Sequence, residues 1–270
     1  MAQQFLQRDR LTLDPHAEIT ITSGATVAIF CVIQACIHAD DEVIIFDPSY
    51  DSYAPAVHLA GGKSIHINLE APSFQVDWQK VEDHITAKTR MIIVNTPHNP
   101  TGAIWSEQDW RQLIELIKDK NIVVLSDEVY EHLVFDGQQH YSALQFPELK
   151  DRSYVIGSFG KTFHVTGWKT GYCVASTNLM RLFRQVYQFA NFCGTTPCQI
   201  ALANYMQQHP EHIQQLPDFY QRKRDLFNQQ IQQSRFKFTP SQGTYFQTLD
   251  YSAIRSDLND VEMCHFLAER

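Results

Sequence analysis

Two side chains in the sequence have the chemistry that a carbonyl-containing cofactor requires. Lys161 offers an amine that can condense with an aldehyde, and Asp127 offers a carboxylate that can pair with a ring nitrogen. A third group could bind an anion through backbone N–H groups at a helix N-terminus, hydroxyls and a cation: Gly24, Ala25, Thr26, Ser158 and Lys169. A cofactor that needs such a lysine, carboxylate and phosphate site is pyridoxal phosphate.

Three further residues could complete this site. Tyr130 and Asn99 offer hydrogen-bond donors, and Tyr50 offers an aromatic face. Each signal alone also fits a simpler role, because a Ser-Gly-Ala-Thr segment often only caps a helix and Asn99 before a proline fits a turn. The order of these segments, each directly after a β-rich run, favours one shared site.

Seven β-rich runs, separated mostly by helical patterns, occupy the first 205 residues. Several runs are apolar throughout, which is typical of strands covered on both faces. The alternation predicts an α/β fold with a mainly parallel seven-stranded sheet and helices on both faces. Ligands bind beyond the carboxyl ends of such strands, so one sheet edge would gather the candidate residues. The runs are 18–22, 42–46, 63–69, 90–95, 122–125, 154–157 and 171–175, with helices at 25–37, 106–118 and 179–192.

The pattern changes after about residue 205. Residues 210–234 form a long polar helical pattern, and residues 236–239 and 243–250 have the pattern of two short strands. These features predict a pyridoxal phosphate-binding large domain at 1–205 and part of a smaller α+β domain at 206–270. The chain stops within another helical pattern without a capping signal, and we therefore expect a missing C-terminal portion.

Composition restricts the class of protein. The formal net charge of -8 is spread along the chain without a basic cluster, which argues against a nucleic acid partner. The six cysteines include no Cys-x-x-Cys pair, and we expect reduced packing residues in a cytoplasmic protein. No apolar run is long enough to predict a membrane span or a signal peptide, and no spacing of ligands predicts a metal site.

Four motifs resemble those of the class I aminotransferases that have pyridoxal phosphate fold type I. The motifs are FDPSYDSYAP at 46–55, NTPHNPTG at 95–102, SDEVYEHL at 126–133 and SFGKTFHVTGWKTGY at 158–172. The motifs are similar to those of the methionine and kynurenine aminotransferase-like branch: FDPSYDSYAP indicates the methionine type, and Lys169, where many relatives have arginine, is similar to the kynurenine type. The resemblance extends from about Leu11 to the end of the chain.

The resemblance implies a role for each candidate residue. Lys161 would form the Schiff base with pyridoxal phosphate, Asp127 would pair with its pyridine nitrogen, and Tyr50 would stack on its ring. Tyr130 and Asn99 would hydrogen-bond its phenolic oxygen. The phosphate would be held by Ala25, Thr26, Ser158 and Lys169, with Gly24 allowing close approach. Transfer of an amino group from methionine, an aromatic residue or a glutamine-like donor to a 2-oxo acid, by a homodimer, is the implied activity.

Two departures from the family pattern leave alternatives open. No counterpart of the family's N-terminal segment over the active site is evident before Leu11, and the arginine that binds the substrate carboxylate lies beyond the end of the chain. We therefore expect a chain truncated at both ends, and a pyridoxal phosphate-binding module without turnover is one alternative. A cysteine-conjugate carbon–sulfur lyase is another, since the same lysine can serve elimination. A nicotinamide dehydrogenase is disfavoured because no G-x-G-x-x-G follows the first strand.

Overall fold

A seven-stranded sheet forms the centre of the protein, for which the computed structural model describes residues 1–269. The strand order is β1-β7-β6-β5-β4-β2-β3. Strand β7 runs antiparallel to both of its neighbours, and the other pairs are parallel, which confirms the predicted mainly parallel sheet. The strands are β1 (Ile19–Thr22), β2 (Glu42–Asp47), β3 (Lys63–Asn68), β4 (Thr89–Asn95), β5 (Val123–Asp127), β6 (Ser153–Ser158) and β7 (Gly171–Ala175).

Helices cover both faces of this sheet because successive strand residues point to opposite sides. Ile44 and Ile92 pack into one core cluster with α5, whereas their chain neighbours Val43 and Ile93 pack into a second cluster with α2, α3 and α7. The helices are α1 (Ala2–Asp9), α2 (Ala25–Cys36), α3 (Tyr53–Leu59), α4 (Trp78–His84), α5 (Glu107–Ile117), α6 (Phe159–Thr162), α7 (Thr177–Ala190), α8 (Thr196–Gln208), α9 (Glu211–Ile231) and α10 (Asp260–Ala268).

Local sequence sets the start of the amphipathic helix α5. The Ser106 hydroxyl accepts the N–H of Asp109, and the Asp109 carboxylate accepts the N–H of Ser106, which completes a capping box. Trp110, Leu113 and Ile117 then recur on one side of the helix and are buried. Helix α5 is therefore fixed by its cap and by its apolar stripe.

The segment after α9 differs from the prediction. The polar helix at 210–234 is present as α9, but the strands at 236–239 and 243–250 are not formed. Two isolated bridges occur instead, between Lys237 and Asp250 and between Val134 and Gly243. Pro240 has no N–H to donate, and the N–H groups of Gln242 and Gly243 donate to the Gly102 carbonyl, so this part of the backbone bonds to the segment after β4 and not to a neighbouring strand.

The structure leaves the predicted boundary between two domains untested. The proposed boundary near residue 205 falls inside α8, so the division into two domains stays a prediction, and Arg270 lies outside the described residues.

All six cysteines are free, but Cys193 and Cys264 are exposed and are not the packing residues that we expected. Across residues 1–269, none of the helices has the length and apolarity that crossing a membrane requires.

Truncation of a core leucine on α5 should test the contribution of this packing. Leu113 has 0% exposure, so Leu113→Ala should lower the free energy of unfolding by about 2–5 kcal/mol. Leu59→Ala, at a leucine with 74% exposure on α3, is the matched control and should cost less than about 1 kcal/mol. Urea denaturation of both variants measures the difference, and equal losses would contradict the packing described above.

Candidate active site

The strand directions bring the candidate residues to one edge of the sheet. Strands β1, β4, β5 and β6 end at this edge, and the antiparallel β7 begins there. A cavity of about 160 Å³ lies at this edge. All of the residues predicted to form the site line it: Gly24, Ala25, Thr26, Tyr50, Asn99, Asp127, Tyr130, Ser158, Lys161 and Lys169.

One end of the cavity is the N-terminus of α2. Gly24 is the residue before the helix and has φ of +87°, a conformation that residues with a side chain rarely adopt. A Cβ atom on Gly24 would lie 3.6 Å from Cε of Lys169, so the lysine stem crosses the helix start. Among the described residues, no side chain caps this helix and no acid occupies its first turn. The helix end therefore suits an anion.

Strand β7 begins directly against this helix start. A Cβ atom on Gly171 would lie 2.8 Å from the backbone nitrogen of Ala25, so only glycine fits there. In the first turn of α2 the Thr26 hydroxyl lies 3.1 Å from the Tyr50 hydroxyl. The hydroxyl groups of Thr26 and Ser158, the helix amides and Lys169 thus surround a space in which a phosphate group fits by its chemistry.

Asp127, the last residue of β5, lies at the centre of the sheet edge and is 3% exposed. Burial raises the pKa of this carboxyl to about 6, against the opposing effect of a hydrogen bond from Tyr53. The Tyr53 hydroxyl donates to Oδ2 over 2.6 Å, and the N–H of Val129 donates to Oδ1 over 3.3 Å. The sequence interpretation did not include Tyr53, although it lies in the FDPSYDSYAP motif.

Lys161, on the short helix α6, extends its amine between two tyrosine rings. Its Nζ donates to the Tyr245 hydroxyl at 3.0 Å and lies 5.7 Å from the ring centres of Tyr130 and Tyr245. The Tyr130 ring packs edge-to-face on Tyr245 with centres 5.3 Å apart. Tyr245 belongs to the region that we predicted as a strand, and no sequence signal linked it to the lysine.

Asn95, which also lines the cavity, joins the ends of two strands. Its side-chain amide donates to the Asp127 carbonyl at 2.9 Å, and its Oδ1 accepts the N–H of Asn99 at 2.7 Å. The NTPHNPTG segment is thereby fixed relative to β5. The sequence interpretation assigned Asn99 a role and left Asn95 without one.

Two more buried carboxylates follow Asp127 in the chain. Glu128 accepts hydrogen bonds from the Ser126 hydroxyl at 2.8 Å and the Ala143 N–H at 3.0 Å, and its other oxygen lies 3.0 Å from Nε2 of His140. Glu131 pairs with Arg8 of α1 and accepts from the Tyr172 hydroxyl.

The surroundings of Glu131 determine its charge. Although burial alone raises the pKa of Glu131, Arg8 opposes it and the net effect lowers this pKa to about 2. The carboxylate is therefore ionised at neutral pH. Because Glu131 follows β5 and Arg8 lies on α1, their pairing attaches the first helix to the segment that carries Asp127 and Tyr130.

The two motif histidines, His98 and His164, contact other side chains of the protein. His98 is buried, its Nδ1 lies 2.7 Å from the Thr101 hydroxyl, and burial lowers its pKa to about 4. It is therefore neutral at pH 7. His164 packs against the rings of His212 and Tyr220. Within residues 1–269, no group of three or more His, Cys, Asp or Glu side chains is arranged to hold a metal ion.

Comparison with known structures shows close likeness over the entire chain. The crystal structure of YbdL from Escherichia coli, identified as a methionine aminotransferase, superposes with a TM-score of 0.97 at 45% identity, covering 100% of this chain and 71% of that one. N-succinyldiaminopimelate aminotransferase from Mycobacterium tuberculosis superposes with a TM-score of 0.95 at 32% identity, covering 100% and 70%.

Sequence comparison gives the same family. The chain is 46% identical over 256 residues to methionine aminotransferase of Escherichia coli K12, covering 95% of this chain and 66% of that relative. It is 34% identical over 267 residues to kynurenine–oxoglutarate transaminase 1 of Rattus norvegicus, covering 92% and 63%. The chain thus spans somewhat less than two thirds of these relatives. The model of the family "aminotransferase class I and II" matches residues 1–270, and the chain belongs to this family.

Proposed function

We propose that the protein is a pyridoxal phosphate-dependent aminotransferase that moves the amino group of an L-amino acid to a 2-oxo acid. Members of its family use this cofactor. The observation that carries the proposal is the position of Lys161, Asp127 and the uncapped start of α2 around one cavity. An amine, a carboxylate and an anion site are the three groups that this cofactor requires.

Each part of the cofactor has residues suited to bind it. The backbone of Ala25, the hydroxyls of Thr26 and Ser158, and Lys169 would hold the phosphate, with Gly24 allowing close approach. Tyr50 would stack on the ring. Tyr130 and Asn99 would hydrogen-bond the phenolic oxygen, Asp127 would pair with the ring nitrogen, and Lys161 would bind the aldehyde carbon. These ten roles rest on the resemblance and on the shared cavity.

Lys161 and Asp127 would share the chemistry between them. When bound, pyridoxal phosphate supplies an aldehyde that exchanges amines and a ring that accepts the electron pair released at the substrate's α-carbon. Lys161 Nζ would take the proton from the substrate's α-carbon and return it to the carbon that had carried the aldehyde. Asp127, with a pKa of about 6, is mostly ionised at pH 7, and its negative charge would keep a proton on the ring nitrogen.

The relatives favour methionine as an amino donor, with aromatic and glutamine-like donors as further candidates. The Escherichia coli relative is a methionine aminotransferase, and the rat relative is a kynurenine–oxoglutarate transaminase. Both names describe amino transfer, so we do not propose the carbon–sulfur lyase. Assembly as a homodimer and a cytoplasmic location stay predictions.

Substitution of Lys161 should test the proposed function directly. Lys161→Ala should abolish the absorbance of the lysine-bound cofactor and reduce methionine-dependent amino transfer to background, because the amine that binds the aldehyde and moves the proton is removed. Absorbance spectra and a 2-oxo acid assay measure the two effects. Lys118→Ala, at an exposed lysine on the surface, is the matched control. If Lys161→Ala kept both signals, the proposal would fail.

Substitution of Asp127 should separate its electronic role from cofactor anchoring. Asp127→Ala should slow α-proton removal from methionine by about 10²–10³-fold, since the charge that stabilises the ring proton is lost. Single-turnover absorbance measures this rate. Affinity for inorganic phosphate should change little, because the phosphate site lies at α2. Asp119→Ala, at an exposed aspartate, is the control, and an unaltered proton-transfer rate in Asp127→Ala would contradict the role.

A further inference from the structure

Tyr53 is a buried tyrosine with a polar contact to the candidate site. It begins α3, is 2% exposed, and donates its hydroxyl to Oδ2 of Asp127 at 2.6 Å. Hydrogen bonds from a hydroxyl to an ionised oxygen have this length and are stronger than neutral ones. A hydroxyl and a carboxylate that are both removed from water also need each other as partners. The contact therefore constrains both side chains.

The two oxygens of Asp127 have different surroundings. Oδ2 accepts from the Tyr53 hydroxyl, whereas Oδ1, within residues 1–269, accepts only the longer contact from the Val129 N–H at 3.3 Å. A carboxylate oxygen can accept more than one donor. Because Asp127 lines the cavity, the tyrosine holds the carboxylate in one orientation and leaves room for a further donor at that group.

Several charged and titratable groups act on Asp127 from different elements. Burial is the largest influence and raises its pKa. The Tyr53 hydroxyl from α3 and the Lys161 amine from α6 lower this pKa, and Glu128 on the same segment raises it. Burial and the same carboxylate also raise the pKa of Tyr53 far above its ordinary value, so the tyrosine stays protonated and remains the donor.

Tyr53 also connects Asp127 to the residue expected to cover the cofactor ring. The Tyr50 and Tyr53 rings pack edge-to-face with centres 5.6 Å apart, and the Tyr50 hydroxyl lies 3.1 Å from that of Thr26 at the start of α2. One short segment, residues 50–53, therefore contacts Asp127 and Thr26 and carries the tyrosine expected to stack on the cofactor ring. A shift of Tyr53 would therefore move or reorient Asp127, Tyr50 and Thr26.

We propose that Tyr53 is a positioning residue of the proposed aminotransferase, whose hydroxyl orients the Asp127 carboxylate and keeps it ionised for the ring nitrogen of the cofactor. The inference deepens the proposed function and rests on it. It assigns the second tyrosine of FDPSYDSYAP a task distinct from the stacking expected of Tyr50.

A double-mutant cycle in the cofactor-free chain should detect this coupling without any turnover. Tyr53→Phe removes only the hydroxyl and keeps the ring, and Asp127→Asn removes the charge. At pH 8 the two substitutions should be coupled by about tenfold in the unfolding equilibrium constant, measured by urea denaturation. At pH 4.5, where Asp127 with its pKa of about 6 is protonated, the coupling should largely disappear. A role in ring packing alone would give the same result at both pH values.

The pH profile of the half-reaction with methionine supplies a second readout. Loss of a donor to the ionised form raises the pKa of the acceptor, so the acid-side midpoint in Tyr53→Phe should move upward by about one pH unit. Tyr154→Phe is the matched control, because the buried Tyr154 hydroxyl donates to the Leu179 carbonyl and not to the site. This variant should keep the wild-type midpoint.

The outcomes separate the two proposals. Coupling at pH 8 without a half-reaction in the wild-type chain would overturn the proposed function and the positioning role that depends on it, leaving only a buried pair. A normal wild-type half-reaction with no pH-dependent coupling and no shifted midpoint would overturn the role of Tyr53 alone. If Tyr53→Phe folds only together with Asp127→Asn, the pairing is supported. If neither Tyr53→Phe nor the double variant folds while Tyr154→Phe does, the Tyr53 hydroxyl serves folding independently of the Asp127 charge and the proposal is wrong.

Discussion

The burial of negative charge at the end of β5 is the constraint on which the site depends. Asp127, Glu128 and Glu131 all lie inside the protein, where an ionised group without partners is strongly unfavourable. Several of their partners come from other elements: α3 for Asp127, the segment from His140 to Ala143 for Glu128, and both α1 and β7 for Glu131. Satisfying these three groups therefore fixes the first helix, the third helix and the last strand around the central strand.

The antiparallel direction of β7 determines where the two lysines of the candidate site lie. Because β6 ends and β7 begins at the same edge, the connection between them never leaves that edge. Both Lys161 and Lys169 belong to this connection, one on α6 and one two residues before the strand. A parallel β7 would have required a crossover to the opposite edge, and the two lysines could not both have faced the cavity.

Sequence patterns predicted the parts of the protein that depend on local chemistry. All seven strands, and the positions of Lys161 and Asp127 near strand ends, could be predicted from the sequence. The apolar runs and the polar residues that follow them are neighbours in the chain. Tyr53 and Tyr245 were missed because their partners, Asp127 and Lys161, are far away in sequence. The strands predicted after residue 235 were wrong for a related reason, since a residue pattern cannot show that Gly102 accepts the backbone donors instead.

The open start of α2 has a consequence for folding. Its first N–H groups lie at the cavity without a side-chain cap among the described residues, so a group bound in the cavity would complete the hydrogen bonds of the helix start. An anion that occupies this position contributes to the native state in the way that a capping serine does in α5. A ligand that binds here would stabilise the protein by RT ln(1 + [L]/Kd), and the phosphate of the proposed cofactor would then be a structural component of the helix start.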